Sequence, residues 1–297
     1  MDDTISKPLR RFGILVALVV AVPIISYYFM LQKKESQVIV AIIDTGIDLN
    51  DHELVDKILT NSGDSIEDGI DSDQNIYIDD QFGWNFWDSN ADIDDLDGHG
   101  TNLARTIMNI DSRVRIIPIK ISDHGKGIRA SDLIKSLQYA VSRGAKIINV
   151  SFGITEASHE LDAVIEELRA KNIFLVVSAG VGVPNPNRPV LLSNLTPQKY
   201  SYPFVVAEAE VDKDVIVSNS NYGTQIDLAI RWKDSKINRG SSFAAAIFSG
   251  LLVSEVQSFP DSDLTSDLVW SRLSSRFQGM VEQSEMKQSR VPLLVLE

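Results

Sequence analysis

The sequence contains no cysteine, which excludes disulfide cross-links, thiolate chemistry and cysteine-ligated zinc. It is also short of cations: 28 Lys and Arg stand against 41 Asp and Glu, for a formal net charge of −13. A sequence-independent nucleic-acid binder needs clustered basic residues to neutralise phosphates, so nucleic acid is not an expected partner. Histidine is scarce, with only His52, His99, His124 and His159 in 297 residues. Internal repeats and low-complexity linkers are missing too, which leaves one large domain as the economical organisation. With 44% hydrophobic and 23% charged residues, the chain can bury a large core.

What is present begins with an uncharged apolar run, Gly13–Leu31, long enough to cross a bilayer. A cleavable signal peptide would have a shorter apolar region and a small-residue cleavage site, and neither is evident before Gln32. The expected layout is a short tail over 1–12, a transmembrane anchor over 13–31, a linker over 32–36 and a soluble domain over 37–297. Lys7, Arg10 and Arg11 precede the run and Lys33 and Lys34 follow it. That asymmetry slightly favours a cytoplasmic N-terminus, and hence a single-pass, membrane-anchored protein with its domain on the extracytoplasmic side.

Beyond the anchor, Gln37–Ile43 is a β-branched run that ends in Asp44-Thr45-Gly46, a buried parallel strand delivering a carboxylate at its C-terminal end. Further strands are predicted over 114–120, 146–150, 173–177 and 204–209. Helices are predicted over 130–142, 161–171, 243–256 and 264–277, with VPLLVL near the C-terminus as a closing strand. Strands alternating with helices in this way predict an α/β fold: a doubly wound, mostly parallel sheet with helices on both faces.

Between Asn61 and Asp97 the composition turns acidic and polar. Asp71, Asp73, Asn75 and Asp79, with Asp80 adjacent, are spaced to gather oxygen ligands for calcium. The EF-hand pattern is not met, because Ile76 stands at the glycine position and Phe82 at that of the final glutamate. Calcium is therefore a candidate ligand, and no cofactor is required by the sequence; a solvated acidic loop is the alternative.

The segment Arg239–Gly250, RGSSFAAAIFSG, runs a glycine and two serines into an apolar helix. Ser242 has two uses there: a capping hydroxyl for an orphan N–H, or a nucleophile beside unpaired N–H groups that stabilise an oxyanion. A nucleophilic serine needs a base, and all four histidines precede it, which excludes the α/β-hydrolase order. His99, between Gly98 and Gly100 at a helix start, is the best placed. His52 and His159 lie beside acidic residues and read as solvated, and His124 is a weaker candidate in a glycine-containing loop. Asp44 is the carboxylate best placed to orient an imidazole. Asp-Thr-Gly also occurs in aspartic proteases, but these need a second such motif and an all-β scaffold, and this chain has one copy on an α/β pattern.

With Asp44, His99 and Ser242 in that order, VAIIDTGID, DGHGTNLA and GSSFAA resemble the three signature segments of the subtilisin-like serine proteases. SDLIKSLQYAVSRGAKIINVSFG resembles the family's helix and substrate-binding strand, and DDQFGWNFWD resembles a loop of many bacterial members. The resemblance covers most of 37–257. It implies a serine endopeptidase in which Ser242 attacks the scissile carbonyl, His99 relays the proton and Asp44 orients His99. It further implies that Ser151, Phe152 and Gly153 edge the substrate pocket. Gly125, Lys126 and Gly127 would form a second edge, so that a polypeptide adds as a strand between them, with Lys126 favouring acidic substrate residues.

The sequence departs from the family in several places. Val181 takes the place of the oxyanion-hole asparagine, leaving the Ser242 backbone N–H as the main donor; within this family, loss of that side chain costs about 100-fold to 1000-fold in turnover. Asn185 or Asn187 are candidate replacements. Ser241 replaces threonine, Ala246 a common proline, and Arg105 a common small residue that close helix packing would favour. Only Gln32–Ser36 separates anchor from catalytic core, so no folding prodomain is expected between them. Two functions remain open on these residues: an active membrane-anchored endopeptidase, or a catalytically silent relative that binds a peptide or partner protein.

Overall fold

Two cores form on opposite sides of one sheet, and the first strand shows why. In β1 (Val38–Asp44, VIVAIID) successive side chains point to opposite faces, so Val40 and Ile42 enter one apolar cluster while Ala41 and Ile43 enter the other. A strand buried on both faces has to be apolar throughout, which is why the run is continuous rather than alternating. The computed structural model describes residues 37–64, 67–123, 128–152, 158–180, 202–218, 220–221, 226–259, 264–283 and 286–296. Residues Gln37–Glu297 form one compact unit. The expected anchor, 13–31, lies outside the described residues, among which no helix is long and apolar enough to cross a membrane.

The other strands are β2 (Trp84–Asn85), β3 (Val114–Lys120), β4 (Ile147–Val150), β5 (Phe174–Ser178), β6 (Phe204–Glu208), β7 (Leu228–Trp232), β8 (Gly279–Gln283) and β9 (Met286–Leu296). They form a nine-stranded sheet in the order β2-β3-β1-β4-β5-β6-β7-β9-β8, parallel except for the β8–β9 pair. The predicted strands over 37–43, 114–120, 146–150, 173–177 and 204–209 appear within a residue or two of their expected bounds, and the closing strand VPLLVL is the second half of a longer β9 that begins at Met286. Strands β2, β7 and β8 were not anticipated. β2 is only two residues long, Arg231 interrupts the apolar pattern of β7, and β8 is a short edge strand ending in Glu282 and Gln283.

Helices α2 (Ala130–Ser142) and α3 (His159–Ala170) cover one face, through Leu133, Leu137, Leu161 and Ile165. Helices α1 (His99–Ile110), α4 (Ser241–Gln257) and α5 (Ser266–Ser274) cover the other, through Leu103, Ile107, Phe248, Leu252 and Val269. Connections therefore leave β1 in one direction and return past it to β4, which makes the carboxyl ends of β1 and β4 a topological switch point, where doubly wound folds place their ligands.

Helix α4 is apolar on nearly all sides and runs through the core, as such a composition requires. It approaches α1 at Gly250, where a Cβ would fall 2.6 Å from the Ile110 Cβ, so only glycine lets the two helices meet this closely. Polar ties fix it further. Ser249 Oγ donates to Asn149 Oδ1 at 3.0 Å, and Ser254 Oγ donates to Asp111 Oδ2 at 2.6 Å. Arg113 and then Ser254 hold the Asp111 carboxyl down at about 2, against the effect of burial.

The acidic loop is anchored from beneath. Asp80 is fully buried and accepts from Tyr139 Oη at 2.6 Å and from Arg143 Nη1 at 3.1 Å, which ties the loop to α2. Burial pushes the Asp80 carboxyl up, and these donors together with Asn61 and Asn75 oppose it.

Candidate active site

Asp44 ends β1 at the carboxyl edge and is only 3% exposed. Its Oδ1 accepts from Thr45 N at 2.9 Å and faces His99 Nδ1 at 2.7 Å. That contact assigns the proton to Nδ1 and leaves Nε2 available as a base. His99 is the first residue of α1, after Gly98 in a left-handed conformation at φ 83°.

A second buried carboxylate supports this pair. Asp95 accepts from Thr45 Oγ1 at 2.8 Å, Gly98 N at 2.9 Å, Thr101 N at 2.8 Å and Thr101 Oγ1 at 2.6 Å. It thus satisfies N–H groups at the start of α1 and holds the Thr45 hydroxyl, which in turn accepts from Gly100 N at 3.0 Å. A Cβ at Gly100 would lie 2.2 Å from the Gly46 carbonyl oxygen, so glycine lets the helix start sit directly against the end of β1. Asp95, Thr45 and Thr101 were missed by sequence reasoning. The available signal was an acidic residue just upstream of a helix start, which reads equally as a simple cap.

Ser242 is the second residue of α4. Its neighbour Phe243 packs edge-on against the His99 ring, with centroids 5.7 Å apart, which brings the starts of α1 and α4 together. Ser242 does not cap the helix: the N-cap is Gly240, without a side-chain bond, and Ser242 Oγ donates to the Ser151 carbonyl at 3.2 Å. No hydrogen bond joins His99 to Ser242 in this arrangement of the described residues. The Gly240 carbonyl accepts from Phe243 N and Ala244 N at 3.0 and 3.1 Å, and the Ser242 N–H has no acceptor among the described residues.

Ser151 follows β4 and is mostly buried, its Oγ accepting from Asn149 Nδ2 at 3.0 Å, while Phe152 beside it is half-buried. Gly153, Gly125, Lys126, Gly127, His124, Val181, Asn185 and Asn187 lie outside the described residues. Arg105 is accommodated without crowding, because its Nε turns away to pair with Asp51 Oδ2 at 2.7 Å. His52 and His159 are exposed, as expected.

The sequence model of the subtilase family matches residues 35–276. The chain belongs to the subtilase family. Among relatives, it is similar to "Subtilisin-like protease 1" of Plasmodium vivax, at 32% identity over 47% of this chain and 24% of that protein. It is also similar to "Thermophilic serine proteinase" of Bacillus sp. (strain AK1), at 27% identity over 68% of this chain and 45% of that protein. The chain thus spans about a quarter of the first relative and less than half of the second. In fold it resembles a solved cold-adapted subtilisin-like serine proteinase, with a TM-score of 0.66 and 19% identity over 89% of this chain and 90% of that one.

In this subtilase the acidic loop gathers carboxylates differently from the sequence expectation. Ligand oxygens of Asp64, Asp71 and Asp73 all lie within 4.8 Å of one another. Asp79 is not among them. Asn75 Nδ2 donates to Asp73 and Asp80 while its Oδ1 accepts from Tyr77 N, and Asp79 accepts from Asp68 N and Gly69 N. Asp64 was missed because it lies outside the compact repeat of acidic residues and is brought in by the loop's fold.

Burial acts to lower the His99 pKa, but the hydrogen bond and charge of Asp44, followed by the charges of Asp97 and Asp95, raise it above the ordinary imidazole value. Because the folded-state value is raised, the stability gained from the Asp44–His99 pair is full below the ordinary value and is lost as pH rises through the folded one. NMR titration of the His99 ring should give a midpoint above 6.5. Asp97→Asn should lower that midpoint, and by less at high salt because Asp97 is exposed. An unmoved midpoint at low salt would show that Asp97 does not act on the ring.

Proposed function

We propose that this subtilase is a serine endopeptidase, with Asp44, His99 and Ser242 as its catalytic residues. The observation that carries the reading is the contact at 2.7 Å between the buried Asp44 and the half-buried His99, with Phe243, next to Ser242, packed on the same imidazole. In the reaction, rotation of the Ser242 side chain away from the Ser151 carbonyl brings Oγ to His99 Nε2. His99 takes the hydroxyl proton as Oγ bonds to the scissile carbonyl carbon, and returns it to the leaving amine; Asp44 stabilises the intervening imidazolium. Water then repeats the sequence to release the acyl group. The Ser242 N–H donates to the oxyanion, and with Val181 at the position of the family's asparagine, turnover is slower than that of a fully equipped relative. Substrate polypeptide adds as a strand along Ser151, Phe152 and Gly153 on one side and Gly125, Lys126 and Gly127 on the other.

The second reading, a catalytically silent domain binding a peptide or partner protein, draws on the hydrogen bond of Ser242 Oγ to Ser151 instead of His99. A fluorophosphonate probe separates the two. Covalent labelling that disappears in Ser242→Ala and falls at least about 1000-fold in His99→Ala is expected of the enzyme. A folded wild-type protein that takes up no label belongs to the binding class.

We further propose that Asp64, Asp71 and Asp73 bind calcium, on the ground that their carboxylate oxygens converge within 4.8 Å of one another and calcium takes oxygen ligands of this kind. The ion would cross-link the loop and take no part in the chemistry. Calcium should raise the melting temperature of the wild type and leave that of Asp71→Asn/Asp73→Asn unchanged. Equal melting temperatures with calcium and with chelator would remove the ion from this account.

The apolar run 13–31 supports a membrane-anchored protein whose peptidase domain is extracytoplasmic. Protease added to intact cells should then digest the domain, and complete protection would reverse the orientation.

A further inference from the structure

Glu208, the last residue of β6, is 3% exposed at the carboxyl edge of the sheet. A carboxylate so deeply buried needs both a cation and hydrogen-bond donors. Its Oε2 accepts from Gly240 N at 2.6 Å, and its Oε1 pairs with the Arg239 guanidinium. That guanidinium lies 4.2 Å from the centroid of the Trp232 ring, at the end of the neighbouring strand β7, and donates to the Trp232 carbonyl at 2.9 Å. One side chain therefore grips the two residues that immediately precede Ser241 and Ser242.

Gly240 has φ 127° and ψ 154°, a conformation that residues with a Cβ rarely adopt. Glu208 fixes the peptide plane on its N-terminal side. On the C-terminal side its carbonyl is held by the N–H groups of Phe243 and Ala244. With both planes held, the direction of the next free N–H groups, that of Ser242 included, is set. We infer that Glu208 is a positioning residue for Ser242, acting through Gly240, with Arg239 neutralising a charge that would otherwise face the developing oxyanion.

The inference rests on the reading of Ser242 as nucleophile and deepens it. Where the family's asparagine is replaced by Val181, stabilisation of the oxyanion depends more heavily on the Ser242 N–H, and its aim matters correspondingly. The two charges also have separable roles. Glutamine at 208 keeps an acceptor for Gly240 N without a charge. Glutamine at 239 leaves the carboxylate buried and unpaired.

The test is fluorophosphonate labelling of the full chain, resolved into a maximal rate and a half-saturation constant. Glu208→Ala should lower the maximal rate about tenfold or more, with half-saturation within about twofold, and Glu208→Gln should recover most of the rate. Arg239→Gln should slow labelling, and the double variant Glu208→Gln/Arg239→Gln should restore it. An unchanged rate in Glu208→Ala, or a loss that glutamine at 208 does not repair, overturns the positioning role. Hydrogen exchange over 240–243 provides an arm independent of activity: faster exchange in Glu208→Ala or Arg239→Gln than in wild type is expected, and equal exchange overturns the inference. If the wild type does not label, the catalytic reading fails, and the exchange measurement still decides whether Glu208 holds the start of α4.

Discussion

The arrangement depends on keeping two carboxylates, Asp44 and Asp95, buried side by side at the end of one strand. Like charges this close have to be stabilised by donors that do not move away, because bulk water is excluded. The structure supplies them from one short stretch: Thr45 bridges the two acids, and the first turn of α1 contributes Gly98, Gly100 and Thr101. The imidazole is the one member of this network that can carry a full positive charge. Satisfying the acids and orienting the imidazole are therefore the same structural act. Removing any donor loosens both.

A similar arrangement, with opposite components, stands at the start of α4. There the buried acid, Glu208, reaches the peptide backbone instead of a side-chain base, and its neutralising partner Arg239 is stacked on Trp232. The two halves meet where Phe243 touches His99. Each half is stabilised from its own strand end, β1 for one and β6 for the other, so the sheet is the common reference for groups far apart in sequence.

Much of this was legible in the sequence because it is local. The apolar run ending in Asp44, the glycine-flanked His99 and the Gly-Ser-Ser start of α4 each carry their meaning within a few residues, and the alternation of strands and helices follows from hydrophobic period. What was not legible depends on long-range closure. Asp95 reads as a cap until Thr45, fifty positions away, is seen to share it. Asp64 enters the acidic cluster through the path of the loop, while Asp79 lies outside it, its carboxylate accepting from Asp68 N and Gly69 N. Arg105 looked too large for its helix because sequence gives no direction to a side chain, and it points toward Asp51. Glu208 reads as an ordinary charged residue at the end of a strand, and only the fold places Gly240 beside it.

The contact at Gly250 and Ile110 has a mechanical consequence. His99 and Ser242 head two helices, α1 and α4, that are pinned together well down their lengths, roughly 12 Å from Ser242 at 1.5 Å per residue. The pair behaves as a caliper whose hinge is Gly250 against Ile110 and whose jaws are the imidazole and the hydroxyl. The Ser254–Asp111 bond beyond the hinge acts as its set-screw. The gap between the imidazole and the hydroxyl is thus a property of core packing, so a methyl group added at the hinge, well away from both helix starts, would be read out as a change in that gap.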